Sequence, residues 1–375
     1  MARNTIARID ADAVAHNLAR VREWAPTSRV MAVVKADAYG HRIDLCLPAL
    51  ARADMLAVAS IDEARALRRL GNRQRVLLLE GVLHASDLAV VETLGLELTI
   101  HHASQIDMLE SFGRAPSACL WLKIDSGMHR LGVEPEQARA LQARLLALPG
   151  AEQVNLMTHF ASSECPLSQS AAAQLARFDA AVAGMTGEHC LANSGAILNH
   201  SSTHRDWVRA GIVLYGISPL PAKSGIDLGL RPVMTLEAEV LAVNRVAAGE
   251  AIGYGGRFVA ERDLTVGVIG IGYGDGYPRS AVDGTPVLVG GRRCPLIGRV
   301  SMDMLTVDLT DCPEVRIGDR AVLWGRNLPI EEIALAADTI PYELSCRITR
   351  RVRYRPTGSE SLKDSRNVRE FRLIR

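Results

Sequence analysis

The feature that most constrains the fold is an alternation of short apolar, β-branched runs with helical segments, which extends from Val30 to about Gly216. Nearly continuous apolar runs are typical of strands that are buried on both faces, with helices as the crossovers between them. Eight is the number of strands that closes a parallel barrel. The pattern therefore predicts an α/β fold with a (β/α)8 TIM-like barrel, and a doubly wound open sheet is the competing architecture. The eight runs are residues 30–35, 55–59, 75–79, 97–100, 119–125, 154–159, 190–193 and 209–214.

A second domain is predicted after the Pro/Gly/Ser-rich stretch from Pro219 to Gly225. Beyond it the runs are short, β-branched and separated by glycines, with one helical candidate near residues 331–337, which is typical of a mostly β domain. The opening residues also alternate, so we expect a strand within residues 1–10 to pair with that distant domain. The expected domains are thus 11–225 for the barrel and 226–375 for the β-rich domain. The polar tail after Arg350 is expected to be a solvated end, mobile after about residue 355.

The composition argues against several classes of protein. A length of 375 residues fits about two domains. A formal net charge of +1 and only 4% aromatic residues argue against a chain built for binding nucleic acid. No apolar run approaches the roughly 18 residues of a transmembrane helix, so no membrane partner is expected. The charged amino-terminal residues lack the apolar core of a signal peptide, and we expect a cytoplasmic protein.

The seven cysteines are scattered along the chain without a Cys-x-x-Cys pair. A disulfide framework or a structural zinc site needs closer, paired spacing. We therefore expect no metal site.

Lys35 is the strongest candidate for a catalytic residue, because it directly follows the apolar residues 30–34 of the first predicted strand. The carboxyl ends of barrel strands form the face where active sites are built, and a partly desolvated lysine there can act as a Schiff-base nucleophile. A lysine that merely extends into solvent is the alternative. The loops at 193–195 and 209–212, after the seventh and eighth runs, contain glycines and are typical of a phosphate site. A lysine that faces a phosphate site predicts pyridoxal phosphate as cofactor.

Eight motifs rich in glycine and polar residues follow one another along the chain. They are VVKADAYGH at 33–41, KIDSGMHRLG at 123–132, THF at 158–160, ANS at 192–194, RAGIVLYG at 209–216, GYG at 253–255, GYGDG at 272–276 and GRVSMD at 298–303. In this order they resemble the motifs of bacterial alanine racemases. The resemblance implies a pyridoxal-phosphate-dependent isomerase that interconverts L-alanine and D-alanine, with D-alanine used for peptidoglycan or in catabolism. It also implies a homodimer whose active sites are shared between chains.

The resemblance implies two catalytic bases. Lys35 would carry the cofactor as an internal aldimine and act on D-alanine, while Tyr254 of the other chain would act on L-alanine from the opposite face. Inversion of a stereocentre through a planar carbanion needs a proton acceptor on one face and a donor on the other. One group could not easily serve both faces.

The same resemblance implies the remaining site residues. Arg209 would face the pyridine nitrogen of the cofactor, and Arg130 would bind the substrate carboxylate with help from the backbone N–H of Met302. Lys123 matches a position where carbamylation supplies a negative charge that orients Arg130. The other implied cofactor-binding residues are Tyr39, His159, Asn193, Ser194, Gly211 and Ile212, and the other implied substrate-binding residues are Tyr273 and Asp303.

The chain departs from the family pattern at one position. Where some members have a phosphate-binding tyrosine, this chain has Arg350. The enzyme alternatives are a barrel-type pyridoxal-phosphate amino-acid decarboxylase, which usually has a glutamate at the position of Arg209, and a racemase of broader specificity. A non-catalytic cofactor-holding protein would lack the domain that carries Tyr254.

Overall fold

Eight parallel strands close into a barrel in the computed structural model, which describes residues 4–165, 167 and 169–357. The last strand pairs with the first, with Arg29 opposite Trp207 and Ala32 opposite Ala210. The predicted barrel is therefore confirmed, and an open sheet is excluded. The barrel strands are Arg29–Val33, Met55–Val58, Val76–Leu78, Glu97–Ile100, Cys119–Lys123, Gln153–Met157, His189–Cys190 and Trp207–Ala210.

Helices cover the outside of the barrel, and side chains at their first turns define where they begin. Asp10 caps the helix Ala11–Trp24 by accepting a hydrogen bond from the Ala13 N–H. Ser60 and Glu63 form a reciprocal capping box at the start of the helix Ile61–Arg69. The other helices of the barrel region are Lys35–Tyr39, Ile43–Cys46, Leu88–Leu94, Ala103–Phe112, Ala138–Leu146, Gln169–Val182 and Ser194–Asn199.

The region after the barrel is mostly β-sheet, as predicted. Its longest strand, Met234–Val246, pairs antiparallel with Ile6–Asp10, with Arg320–Trp324 and, toward its other end, with Leu264–Ile269. The amino-terminal strand therefore lies in the carboxy-terminal sheet. The remaining strands are Ala251–Ile252, Phe258–Val259, Pro286–Val289, Arg292–Pro295, Leu305–Asp308 and Arg353–Thr357, and the helices are Ile330–Ala336 and Pro341–Cys346.

The expectation of a solvated tail after Arg350 is wrong for the first residues of that tail. Arg353–Thr357 forms a strand that pairs in parallel with Ile6–Asp10. The prediction relied on the weak apolar periodicity of these residues. The strand nevertheless forms, because backbone hydrogen bonds to the amino-terminal strand hold it. The rest of the predicted mobile tail, residues 358–375, lies outside the described residues. Within the described part of the chain, no helix is long and apolar enough to span a bilayer.

Two tryptophans fill much of the barrel interior. The rings of Trp121 and Trp207 meet edge to face with centroids 5.9 Å apart. Each indole N–H donates to a carboxylate at 2.7 Å, from Trp121 to Glu97 and from Trp207 to Glu188. Glu97 is buried and also contacts Arg75. A buried indole N–H without an acceptor would destabilise the fold, and Glu97 provides the acceptor that the Trp121 N–H needs.

We therefore expect Glu97→Ala to lower the free energy of unfolding by about 2 to 4 kcal/mol, because it leaves the Trp121 N–H and the Arg75 guanidinium without their acceptor. Urea denaturation followed by far-UV circular dichroism measures this loss. The control is Glu92→Ala, which removes an exposed ion pair with Arg114 and should leave the midpoint nearly unchanged. Equal midpoints for the two variants would contradict this account.

Candidate active site

A cavity of about 860 Å³ lies at the carboxyl ends of the barrel strands. It collects side chains from segments that are far apart in sequence, because the strands that carry them are neighbours in the barrel. Ten of the predicted site residues line it, namely Lys35, Tyr39, Lys123, Arg130, His159, Asn193, Ser194, Arg209, Gly211 and Ile212. The structure thus brings together all the predicted site residues of the barrel.

Lys35 begins a turn of left-handed helix. The strand before it ends at Val33, and the four residues after Lys35 have φ angles between 52° and 58°. Left-handed backbone costs a residue other than glycine roughly 1 to 2 kcal/mol, so the surrounding structure must hold this turn. Gly40 follows with φ of 79°, and a Cβ there would lie 2.1 Å from the carbonyl oxygen of Ser345. The turn is therefore specified by its packing, and it fixes the direction in which the Lys35 side chain leaves the backbone.

Hydroxyl groups surround a small cradle at Gly211. A Cβ at Gly211 would lie 2.7 Å from the Tyr39 hydroxyl oxygen. The Gly211 N–H donates to the Ser194 hydroxyl oxygen at 3.0 Å. Burial raises the pKa of Tyr39 to about 12, an effect that Cys346 reinforces and Arg209 opposes. Both hydroxyls are therefore protonated at neutral pH and can donate hydrogen bonds to an anion.

Arg209 is buried at the floor of the cavity and is held by main-chain carbonyls. One terminal nitrogen donates to the Cys190 oxygen at 2.8 Å. The other donates to the oxygens of Thr158, at 2.7 Å, and Leu191, at 3.0 Å, and lies 3.2 Å from Nδ1 of His159. A guanidinium does not lose its proton in proteins, so Nδ1 of His159 is the acceptor of that contact. Burial and then the charge of Arg209 hold the pKa of His159 well below its usual range, which keeps the imidazole neutral.

Lys123 is a buried amine among cations. Burial, followed by the charges of Arg209, Arg130 and Lys35, lowers its pKa to about 8, while Asp125 acts in the opposite direction. The neutral form of this amine is therefore more populated at pH 7 than that of an ordinary lysine. A neutral amine is the form that can attack an electrophile such as carbon dioxide.

These groups fit pyridoxal phosphate. Lys35 offers an amine at the cavity wall, the cradle at Gly211 offers hydroxyl donors where a side chain would intrude, and Arg209 offers a buried cation. A phosphate dianion needs such donors, and an aldehyde needs the amine.

The predicted site residues of the β-rich domain lie elsewhere. Tyr254, Tyr273, Met302 and Asp303 do not line the cavity of their own chain. They sit on neighbouring loops, and the Tyr273 N–H donates to the Ser301 oxygen at 3.1 Å. Tyr254 is 66% exposed and Met302 is 53% exposed. A tyrosine and a methionine this open are free to meet a surface outside their own chain.

Among the cavity residues that sequence reasoning missed, Tyr342 comes from the β-rich domain, whereas Arg350, which was considered, does not line the cavity. Tyr342, from the helix Pro341–Cys346, lines the cavity, with its ring centroid 6.1 Å from that of Tyr39. Burial, followed by the proximity of Tyr39 and Glu164, raises the pKa of Tyr342 well above its usual range. Arg350 is exposed and does not line the cavity. Tyr342 lies only eight residues before Arg350, the position that was considered for phosphate binding. Its place in the cavity follows from the packing of the helix Pro341–Cys346 on the barrel, which only the fold shows.

Comparisons with known proteins agree over nearly the whole chain. Residues 9–219 match the family model of the alanine racemase N-terminal domain, and residues 233–355 match that of the C-terminal domain. An alanine racemase of Azoarcus sp. (strain BH72) is 50% identical over 357 residues, covering 94% of this chain and 99% of its own. One of Thioalkalivibrio sulfidiphilus (strain HL-EbGR7) is 50% identical over 361 residues, covering 96% of this chain and all of its own.

Solved structures give the same answer. The biosynthetic alanine racemase from Pseudomonas aeruginosa superposes with a TM-score of 0.91 at 44% identity, covering 95% of this chain and 100% of its own. The alanine racemase from Bartonella henselae with covalently bound pyridoxal phosphate superposes with a TM-score of 0.85 at 29% identity, covering 94% and 99%.

The cradle at Gly211 yields a test of where the phosphate binds. We expect Gly211→Ala to weaken the binding of pyridoxal phosphate at least about tenfold, because the new Cβ would collide with the Tyr39 hydroxyl. Absorbance titration of the cofactor-free protein measures the dissociation constant. In a Tyr39→Phe background, compared with Tyr39→Phe alone, Gly211→Ala should weaken binding less, since the nearest Tyr39 atom to the new Cβ would then lie 3.3 Å away. Unchanged affinity in Gly211→Ala would rule out this cradle.

Proposed function

The chain belongs to the alanine racemase family, whose activity is the interconversion of L- and D-alanine with pyridoxal phosphate, and we propose that Lys35 and Tyr254 move the proton. The observation that carries this proposal is that Lys35 lines a cavity fitted to the cofactor, whereas Tyr254 is exposed on the other domain. The racemase relatives do not favour the decarboxylase alternative.

The two groups divide the proton transfers by face. Bound pyridoxal phosphate withdraws electrons from the α-carbon of the amino acid, which makes its proton removable. Lys35 takes or returns that proton on its own side of the site. The opposite face needs a second proton donor, because one side chain cannot reach both sides of a planar centre. We assign that second role to the Tyr254 hydroxyl.

Arg209 and the neutral His159 set the character of the site. The Arg209 guanidinium keeps its proton, so its contact with the pyridine nitrogen would leave that nitrogen unprotonated and limit electron withdrawal. A proton at the α-carbon is then returned quickly, which favours racemisation over transamination. His159, which accepts from Arg209 at 3.2 Å, is a group that could extend this polar network toward Tyr254 of a partner subunit.

Substrate recognition is assigned to Arg130 on the cavity wall, whose guanidinium can grip a carboxylate with two parallel hydrogen bonds. The backbone N–H of Met302 would assist, with Tyr273 and Asp303 near the carboxylate. Asp303 contacts Arg351, which also lies 3.2 Å from Asp275, so its loop is anchored within its own domain.

We propose that Lys123 is carbamylated and that the resulting negative charge orients Arg130. The support is its burial among Arg209, Arg130 and Lys35 and a pKa lowered to about 8, which makes the neutral, reactive amine available. The purified protein equilibrated with isotope-labelled bicarbonate should therefore show a carbamate carbon resonance by NMR. The resonance should disappear in Lys123→Arg, and an identical spectrum for both proteins would exclude the modification.

A homodimer completes the site. We propose that the exposed loops that carry Tyr254, Tyr273 and Met302 enter the cavity of a partner subunit, and that each subunit does the same for the other. Two sites made in this way are related by a two-fold axis, which is the commonest symmetry of soluble oligomers. The exposure of these side chains, described above, supports the arrangement.

Mixed dimers test this sharing. Neither the Lys35→Ala nor the Tyr254→Phe homodimer should racemise alanine at more than a small fraction of the wild-type rate. A dimer with one chain of each kind contains one complete site, so we expect about half the wild-type rate per dimer. Differently tagged chains can be co-purified in tandem and their dimeric state checked by light scattering. A pure mixed dimer as inactive as its parents would exclude sites shared between chains.

The activity itself is tested by incubating the purified protein with L-alanine and then resolving the product on a chiral column. D-alanine should form with wild-type protein and not with Lys35→Ala. Release of carbon dioxide instead would identify a decarboxylase.

We further propose that the protein works in the cytoplasm and provides D-alanine for peptidoglycan. All seven cysteines lie among the described residues and are free, Cys165 and Cys346 at the surface among them, which is typical of a reducing compartment. The similar Pseudomonas aeruginosa protein is described as biosynthetic. Deletion of the gene should therefore make the organism dependent on added D-alanine, whereas normal growth without D-alanine together with loss of growth on alanine as carbon source would favour the catabolic role.

A further inference from the structure

We propose that Glu63 is a positioning residue for Lys35, because its carboxylate holds the left-handed turn that Lys35 begins. The inference rests on the proposed role of Lys35 and adds a residue outside the cavity to the machinery of that site. Glu63 lies on the first turn of the helix Ile61–Arg69, after the second barrel strand. Lys35 follows the first strand, so Glu63 acts between neighbouring strands.

The two carboxylate oxygens of Glu63 have different partners. Oε1 accepts the N–H of Ala36, the residue directly after Lys35, at 2.7 Å. Oε2 accepts the N–H of Ala59 at 2.8 Å and that of Ser60 at 3.3 Å. One side chain therefore ties the residue after Lys35 to the end of the adjacent strand Met55–Val58.

The Ala36 amide depends on this contact. Later amides of the turn have main-chain acceptors, since the Ala38 N–H donates to the Val34 oxygen at 2.9 Å and the Gly40 N–H donates to the Ala36 oxygen at 2.8 Å. In the described part of the chain, Glu63 is the acceptor of the Ala36 N–H. A carboxylate is a stronger hydrogen-bond acceptor than a neutral group. The Glu63 carboxylate therefore stabilises the start of a turn in which Ala36 and the three residues after it have positive φ angles.

The same chain shows that capping alone does not require a carboxylate. Gln105 occupies the corresponding place on the helix Ala103–Phe112, where its Oε1 accepts the N–H groups of His101, at 2.8 Å, and His102, at 3.3 Å. A neutral amide therefore closes this second capping box. It follows the strand Glu97–Ile100, which lies far along the barrel from the turn that Lys35 begins. At Glu63 the second carboxylate oxygen is used on the turn, which is the feature that distinguishes the two boxes.

The test uses three variants of the full-length chain. Glu63→Gln keeps the shape, but its NH₂ group would face one of the two N–H donors that the carboxylate now accepts. Asp62→Asn is the charge control. It removes a negative charge one residue earlier in the chain, from a side chain that pairs with Arg65 at 3.3 Å. Ser60→Ala breaks the helix cap, in which the Ser60 oxygen accepts the Glu63 N–H at 3.3 Å, and leaves the contact with Ala36 in place.

The first measurement is hydrogen–deuterium exchange of the cofactor-free protein over residues 34–40, which reports on the turn without any activity. We expect exchange at Ala36 to become at least tenfold faster in Glu63→Gln and to stay unchanged in Asp62→Asn and Ser60→Ala. The second is the steady-state kinetics of the loaded enzyme, where kcat should fall at least fivefold in Glu63→Gln with little change in KM for alanine.

Two results would overturn the inference. One is wild-type exchange at Ala36 together with wild-type kcat in Glu63→Gln. The other is an equal loss of kcat in Ser60→Ala, which would make the integrity of the helix the cause. If Lys35→Ala proved active, the proposed function of Lys35 would fail by itself, and exchange at Ala36 would still report whether Glu63 holds the turn.

Discussion

The pairing of the first barrel strand with the last is the constraint on which the rest of the structure depends. Arg29–Val33 and Trp207–Ala210 are far apart in sequence, and their parallel register brings their carboxyl ends to the same edge. Lys35 follows the first strand by two residues, and the Gly211 cradle follows the last by one. An amine and a hydroxyl-lined phosphate cradle are therefore neighbours because the barrel closes. In a doubly wound open sheet the first strand lies inside the sheet and the last strand at an edge, so the two would not be neighbours.

The charges of the cavity follow from what it must hold. Four cationic side chains line one cavity, namely Lys35, Lys123, Arg130 and Arg209. Burial, and then the neighbouring positive charges, lower the pKa values of Lys123 and His159. Such a concentration of cations in a partly buried space is costly unless anions compensate it. In the proposed function a phosphate group and a substrate carboxylate would supply that compensation, and a carbamate on Lys123 would add a third negative group. Burial, and then the same positive charges that attract anions, therefore also favour the neutral form of the Lys123 amine by lowering its pKa.

Periodicity predicted the barrel and the β-rich domain, and the residues that end the strands placed Lys35 and the loops at 193–195 and 209–212 at one face. The remaining predicted residues of the cavity came from the resemblance to the family. Neither predicted the left-handed turn after Lys35, since Ala36 and Ala38 carry no local preference for that conformation and tertiary contacts impose it. Tyr342 was missed for a related reason, because its helix reaches the barrel only through the packing of two domains. The exposure of Tyr254 follows from the conformation of its loop, which no periodicity in the sequence indicates.

The β-rich domain has a structural task at the site in addition to carrying Tyr254. Its helix Pro341–Cys346 packs so closely on the turn that Gly40 has no room for a side chain beside Ser345, and the Tyr354 hydroxyl donates to the Gly40 oxygen at 3.0 Å. Tyr354 lies on the strand Arg353–Thr357, which pairs with the amino-terminal strand of the chain. The two ends of the described chain are thus joined in one sheet that presses on the residues after Lys35. Glu63 contacts the beginning of the strained turn from the barrel side and the β-rich domain contacts its end, so a barrel expressed alone would lack the contacts at the end of the turn that Lys35 begins.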